Sequence, residues 1–304
     1  MTHSDGRSAA EAVVARLASL RQHQQDGKRS PHKPLLALLA LGRLANQGTS
    51  SMRWSDVEGE LADLIAQFGR PSRTGRRQSA AYPFTRLRAD GVWLLDREVP
   101  MDNVGPLDEA PVTGRLEPSL ERELKAPGAL EKAARLLVES QFPPTVAPDV
   151  LQAVGLDPQV ILTTGAAPGT TAGRQRSAVW RSAVLQAWDN RCAFCGFDGR
   201  LGHAPVGLEA AHVRWFNFDG PDTLDNGLAL CSLHHKLLDR GAMGLDDSYA
   251  IVVSDRFSAG DGIGRLVYDL HGNSLRPRPG TVLPSSAHVS WHRTEVFQGA
   301  PLSA

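Results

Sequence analysis

The chain has 304 residues, 41% hydrophobic and 22% charged, enough for two domains of ordinary size, each with its own apolar core. Its longest purely apolar run, Leu35 to Leu41, falls far short of the ~20 residues that span a bilayer, and Met1 to Gly6 is polar where a secretory signal is apolar, so the expectation is a soluble, cytoplasmic protein with no membrane partner. Thirty-three basic residues balance thirty-three acidic ones, which by itself speaks against a nucleic-acid partner, but residues 1–99 carry 15 Lys and Arg against 10 Asp and Glu.

Residues 9–25 have a helical pattern, and a second helix begins near Pro34 with Leu35 to Leu41 as its core face. Ser55-Asp56-Val57-Glu58 has the form of a capping box before the apolar Leu61, Leu64, Ile65 and Phe68, and Gly69-Arg70-Pro71 stops that third helix. Arg70, Arg73, Arg76, Arg77, Arg86 and Arg88 then follow one another with no acidic residue between them, a patch suited to phosphates. Tyr82 to Arg88 and Val92 to Leu95 flank Ala89-Asp90-Gly91, which predicts a β-hairpin and, with the three helices, a winged-helix-like module. Residues 118–142 are helical with a break at Pro127-Gly128, and their core contacts are Leu120, Leu124, Leu130, Leu136 and Leu137. Proline then becomes frequent, at 143, 144, 148, 158 and 168, and the Thr, Gly and Ala run from Thr163 to Gly173 ends a linker. The expected division is a first domain over 1–160, a linker over 161–173 and a second domain over 174–304. No internal repeat is evident, and the tail from about 276 is loop-rich until Val289 to His292.

All three cysteines fall in the second domain. Cys192-Ala193-Phe194-Cys195 and Cys231-Ser232-Leu233-His234 are two ligand pairs of equal spacing, and together they predict a Cys3His site for structural Zn²⁺. Three unrelated buried cysteines would explain neither the repeated spacing nor the histidine, and an odd count in a long chain disfavours a disulfide framework.

Between those pairs lie Glu209-Ala210-Ala211-His212-Val213 and Asp225-Asn226-Gly227, and His235 follows directly. His, Asn and His in this order, interleaved with the zinc pairs, resemble the HNH (ββα-metal) nuclease motif over residues 174–297. Leu238 to Gly241 and Trp291-His292-Arg293 with Val296-Phe297 are similar to segments of McrA-like HNH enzymes. The resemblance implies that His212, on the second strand of a hairpin from Val206 to Trp215, is a general base that takes a proton from water attacking a DNA phosphorus. It implies that Asn226 holds the loop or orients His212, and that His235 ligates a catalytic Mg²⁺, Mn²⁺ or Co²⁺. Many such enzymes have Asp immediately before the catalytic His. Here that position is Ala211, and Glu209, on the same face of an extended strand, is the candidate to stand in.

Ser30 to Leu36, Phe68 to Pro71, and Tyr82-Pro83-Phe84 with Arg86-Leu87 and Asp90 to Trp93 resemble the sulfur-binding domain of phosphorothioated-DNA-dependent type IV restriction endonucleases, over roughly residues 10–160. That family joins such a domain to a C-terminal HNH domain. The resemblance implies a partner, double-stranded DNA with sulfur in place of a non-bridging phosphate oxygen. Tyr82 and Pro83 would wall the sulfur pocket, and His32 and Lys33 would approach the neighbouring phosphate or base edges. Arg86 and Arg88, alternating on the wing strand, would contact phosphates or read guanine, alongside Arg73, Arg76 and Arg77. Phe84 and Trp93 are expected in the core.

The expected fold class is α+β: an α-rich, winged-helix-like DNA-reading domain followed by a zinc-stapled ββα-metal nuclease domain. The expected activity is modification-dependent DNA cleavage, and double-strand cutting with one centre per chain points to a homodimer. Two other functions share these residues: an HNH enzyme reading methylated or unmodified sequence, and a non-catalytic DNA-binding regulator with a vestigial zinc domain.

Overall fold

The structure, a computed structural model, describes residues 15–18, 20, 31–70, 79–101, 103–163 and 178–303. The chain divides into two units, Met1–Thr170 and Thr171–Ala304.

The centre of the first unit is helix α1 (His32–Gln47), in which every residue from Pro34 to Gly42 is buried. A helix that is apolar on all sides must be covered on all sides, and α2 (Trp54–Phe68), α3 (Ala81–Arg86) and α6 (Ala129–Gln141) pack against it. Pro34 sits in the first turn of α1, where its missing N–H costs nothing. The expected capping box at Ser55 does not form. The N-cap is Arg53, two residues earlier, and Trp54 is held at both ends: its backbone N–H donates to Val112 O at 2.8 Å and its indole N–H to the Asp108 carboxylate at 2.8 Å. Ser55 instead bonds the Asp56 side chain.

The segment Tyr82 to Arg88, expected as a strand, is helical. Helix α3 runs into a 3-10 turn over Leu87–Asp90, and Ala80, Ala81, Phe84 and Leu87 bury at helical spacing with Pro83 and Thr85 filling the same face, which leaves Tyr82 outside and breaks the alternation a strand would need. Phe84 lies between the rings of Trp54, at 5.1 Å, and Trp93, at 5.7 Å. Arg86 and Arg88 therefore do not alternate on a wing strand. Strand β2 (Trp93–Leu95) pairs instead with β3 (Thr113–Leu116), which also pairs with β1 (Met52–Arg53), giving the order β1-β3-β2. Gly114 of β3 lies under Trp93 and Phe84, where any side chain would collide with both rings. Replacing Phe84 by Ala is expected to cost about 3–5 kcal/mol of stability, read by urea denaturation, because the ring fills a closed aromatic cluster.

Residues 118–142 form two helices as expected, α5 (Pro118–Leu124) and α6, separated at Pro127-Gly128; α4 (Gly105–Glu109) precedes β3. The proline-rich stretch after 142 is not linker down to 163. It forms α7 (Ala147–Ala153) and α8 (Pro158–Thr163), whose Val150, Leu151 and Ile161 join the first core. Prolines 148 and 158 fall in first turns, where they start helices. Most of the expected helix over 9–25 and of the linker lies outside the described residues.

In the second unit, β6 (Leu208–His212) pairs antiparallel with β7 (Gly227–Cys231), with Glu209 opposite Leu230 and His212 opposite Gly227. Helix α10 (Ser232–Asp239) follows β7 directly, completing a strand-strand-helix unit, and α9 (Ala178–Ala187) also packs on the pair. Gly227 gives α9 its close approach, since a Cβ there would stand 2.5 Å from Val184 Cγ2. His212 thus ends the first strand of the pair, not the second strand of a Val206–Trp215 hairpin. The connection from 213 to 226 folds into its own turns, and β4 (Arg200–Leu201) with β5 (Ala204–Pro205) makes a separate ribbon. Strands β8 (Met243–Leu245) and β9 (Ile251–Val253) and helices α11 (Asp261–Tyr268) and α12 (Ser286–Glu295) complete this unit, whose core holds Val184, Leu228, Leu238 and Val289. Both units mix helices with small sheets, as an α+β reading requires. Among the described residues no helix is long and apolar enough to cross a membrane.

Candidate functional site

The Cys192 to Cys195 segment is a tight turn, closed by Gly196 N–H on Cys192 O at 2.8 Å. Cys231 is the last residue of β7 and the N-cap of α10, and His234 lies in the first turn of that helix. The chain thereby brings three sulfurs and one imidazole together, all four ligand atoms within 4.8 Å of one another. His234 Nδ1 is 3.1 Å from Cys231 Sγ and 3.4 Å from Cys192 Sγ, while its Nε2 lies 3.1 Å from Leu266 O. A carbonyl can only accept, so Nε2 carries a proton and Nδ1 is the nitrogen turned toward the sulfurs. Crowding makes the thiols compete for charge: hydrogen bonds from Cys195 and Cys231 pull Cys192 far down, and the contact with Cys192 pushes the other two up. Burial opposes a charge on His234, but the sulfurs of Cys192 and Cys195 raise it to about 10. A divalent cation would relieve that competition by accepting every sulfur as thiolate, so the donor set fits a metal ion of tetrahedral preference.

His235 lies one residue on, and two carboxylates bracket its ring. Nδ1 is 2.6 Å from Glu209 Oε2 on β6, and Nε2 is 3.2 Å from Asp239 Oδ2 one helical turn along α10. Burial disfavours the charged imidazole, yet the Asp239 and Glu209 carboxylates outweigh it and raise His235 to about 9. Glu209 is pulled down to about 2, first by the bond from His235 and also by the Ser232 hydroxyl. The Glu209 side chain is 40% exposed and that of Asp239 2%, so an incoming group meets the Glu209 edge while Asp239 backs the ring. One imidazole and one accessible carboxylate on neighbouring elements are ligands that a divalent cation accepts.

His212 is nearly buried and is held on two sides. The Trp180 indole of α9 stacks on its ring at 3.8 Å and 17°, and Asp222 Oδ1 lies 2.8 Å from Nε2. Asn226, fully buried, does not reach the imidazole through any bond that defines its place. Its Oδ1 accepts from Arg214 N–H at 2.8 Å, and its Nδ2 donates to Arg214 O and Pro221 O, each at 3.0 Å. The amide thus ties Arg214 and Pro221 of the 213–226 loop to its end.

In the first unit, α3 presents Tyr82 and Arg86, at i and i+4, on one face: the guanidinium sits 4.8 Å over the phenol ring. His32, at the start of α1, meets Tyr82 edge-on at 6.1 Å. Tyr82 is exposed, whereas Pro83 is buried beside it. The Lys33 ammonium is paired with the Asp90 carboxylate at 2.5 Å, and Arg88 bonds Val99 O, so both are engaged within the fold. Arg73, Arg76 and Arg77 lie outside the described residues.

Sequence reasoning missed Asp239, Asp222 and Trp180. Asp239 had a signal, the i, i+4 spacing from His235 on a helix. Asp222 and Trp180 had none, because a folded loop and a separate helix bring them to His212.

Residues 192–246 match the HNH endonuclease family, and residues 10–159 match the family described as ScoMcrA-like, DNA sulfur-binding domain. The second unit thus carries an HNH endonuclease domain. The first is a DNA sulfur-binding domain of the ScoMcrA-like type, and the chain joins the two in that order. No curated protein matches the chain. Among solved structures it is similar to a modification-dependent TagI restriction endonuclease, with 25% identity over 40% of this chain and 38% of that one, at a TM-score of 0.33. It is also similar to the sulfur-binding domain of SprMcrA complexed with phosphorothioated DNA, with 25% identity over 41% and 80%, TM-score 0.33. The type IV phosphorothioation-dependent enzyme ScoMcrA is similar over 71% and 81%, with 14% identity and TM-score 0.33. The chain spans less than two fifths of the TagI enzyme it matches.

Proposed function

We propose that the chain is a modification-dependent restriction endonuclease that binds phosphorothioated double-stranded DNA through a first domain that runs to the end of α8 at Thr163 and hydrolyses its backbone through residues 174–304. The observation that carries the nuclease reading is the strand-strand-helix unit that sets His212, Asn226 and His235 on β6, β7's approach and α10, beside the Cys3His cluster. Cys192, Cys195, Cys231 and His234 hold a structural Zn²⁺. His235 and Glu209 hold the catalytic cation, Mg²⁺, Mn²⁺ or Co²⁺, with Glu209 standing where Ala211 offers no ligand. When bound, that cation stabilises charge on the phosphate and on the departing oxygen. His212 takes a proton from water; the water oxygen forms a bond to phosphorus as the bond from phosphorus to the 3′ oxygen breaks, and solvent protonates the departing oxygen. Asn226 keeps the 213–226 loop closed over this site. Cutting both strands with one centre per chain calls for a homodimer on the DNA.

For the first domain, Tyr82, with His32 and Arg86 against its ring, forms the wall of the sulfur site, and Arg73, Arg76 and Arg77 bind phosphates. Sulfur is larger and more polarizable than oxygen and a poorer hydrogen-bond acceptor, so it loses less on leaving water for an aromatic surface. Oxygen in the same place is desolvated without a partner, at about 1–3 kcal/mol. Binding to paired duplexes differing in one phosphorothioate is therefore expected to favour sulfur by about 5- to 150-fold, and affinity for both should fall with salt. Tyr82→Ala should erase most of that preference while leaving binding to ordinary DNA within about threefold. Equal affinity of the unaltered protein for the two duplexes would end the sulfur reading and leave an HNH nuclease that reads another feature.

A further inference from the structure

The geometry points to Asp222 as the residue that positions His212, fixing which ring nitrogen takes the proton from water. This rests on the reading of His212 as general base. Three contacts restrict the imidazole in different ways. Trp180 stacks on it at 3.8 Å and 17°, which fixes the plane of the ring. Phe216 approaches at 5.6 Å, tilted by 51°, and His212 is 7% exposed, so the ring has little room to leave that plane. Rotation within the plane is then the freedom that remains, and Asp222 Oδ1, 2.8 Å from Nε2, removes it.

The bond also fixes the tautomer. A carboxylate offers only lone pairs, so Nε2 must donate, and the neutral ring carries its own lone pair on Nδ1. Nδ1 is thus the atom that accepts the water proton, and the imidazolium formed is stabilised by the carboxylate already bonded at Nε2. Asp222 reaches this place through Asn226. The Asn226 amide donates to Pro221 O at 3.0 Å, holding the peptide just before Asp222, while its Oδ1 holds Arg214 just after the strand that bears His212. The fully buried asparagine therefore acts on the base at one remove, by delivering the carboxylate.

The test compares the full-length protein with Asp222→Asn and His212→Ala on a phosphorothioated plasmid with Mn²⁺. Imidazole ¹⁵N–¹H correlation spectra are recorded alongside without DNA. In the unaltered protein the neutral His212 ring should carry its proton on Nε2. Asp222→Asn presents an amide of the same shape; it should lower kcat by about 10²-fold with KM and DNA affinity changed less than twofold, and the Nε2-protonated signature should be lost. If the unaltered protein shows His212 protonated on Nδ1, or if Asp222→Asn cleaves within threefold of the unaltered rate while His212→Ala is inactive, the positioning role is overturned and the base stands. If His212→Ala itself cleaves normally, the base assignment fails. Should Asp222→Asn not fold, the tautomer measured in the unaltered protein still decides.

Discussion

Replacing His212 by alanine is expected to lower the rate of DNA cleavage by about 10²–10⁴-fold, the contribution of a positioned general base, while binding and folding are kept. The imidazole makes no bond to the Cys3His cluster and lies at the end of β6, so its loss removes the Trp180 stack and the Asp222 bond but leaves the β6–β7 ladder intact. Single-turnover cleavage by the purified variant, with DNA binding measured in parallel, checks this. Cleavage at the unaltered rate would show that another group takes the proton.

The second large effect concerns the Cys3His cluster. Cys195→Ser, or chelation of the metal, is expected to unfold the second unit and abolish cleavage while the first unit still binds DNA. Metal in such clusters contributes on the order of 10–16 kcal/mol, more than a domain of this size has to spare. The cluster ties the 192–195 turn to the junction of β7 and α10, and its Cys192 and His234 are buried among Phe194, Leu238 and Val267. Without the cation, three thiols and an imidazole compete for charge in that core. Elemental analysis should find about one zinc per chain, and proteolysis of the chelated protein should remove the second unit alone. A metal-free protein with a protease-resistant second unit would contradict this account.

The Cys3His cluster was legible because metal chemistry demands fixed spacings: two turns with ligands three apart place four donors together whatever surrounds them. Long apolar helices were legible for a similar reason, as the unbroken Leu35 to Leu41 run has only the interior to go to. Tyr82 to Arg88 misled because Tyr82 and Phe84 stand two apart, as in a strand, while Phe84 and Leu87 stand three apart, as in a helix, and what decides between them is the closed cluster of Trp54, Phe84 and Trp93, residues far apart in the chain. The prolines after 142 were read as linker although proline also opens helices, and packing of Val150 and Ile161 on the first core settles which. Asp222 was invisible because its role depends on the path of a loop that Asn226 ties shut. Glu209 lay between these cases: strand alternation placed it on the face of Ala211, and the structure adds its bond to His235.

The most direct measurement is cleavage, by the full-length protein with Mn²⁺, of two plasmids of identical sequence, one carrying phosphorothioates and one not. The account predicts double-strand cuts in the phosphorothioated plasmid, lost with His212→Ala, and an intact unmodified plasmid under the same conditions. Equal cutting of both, or no cutting of either by the zinc-loaded protein, would contradict it.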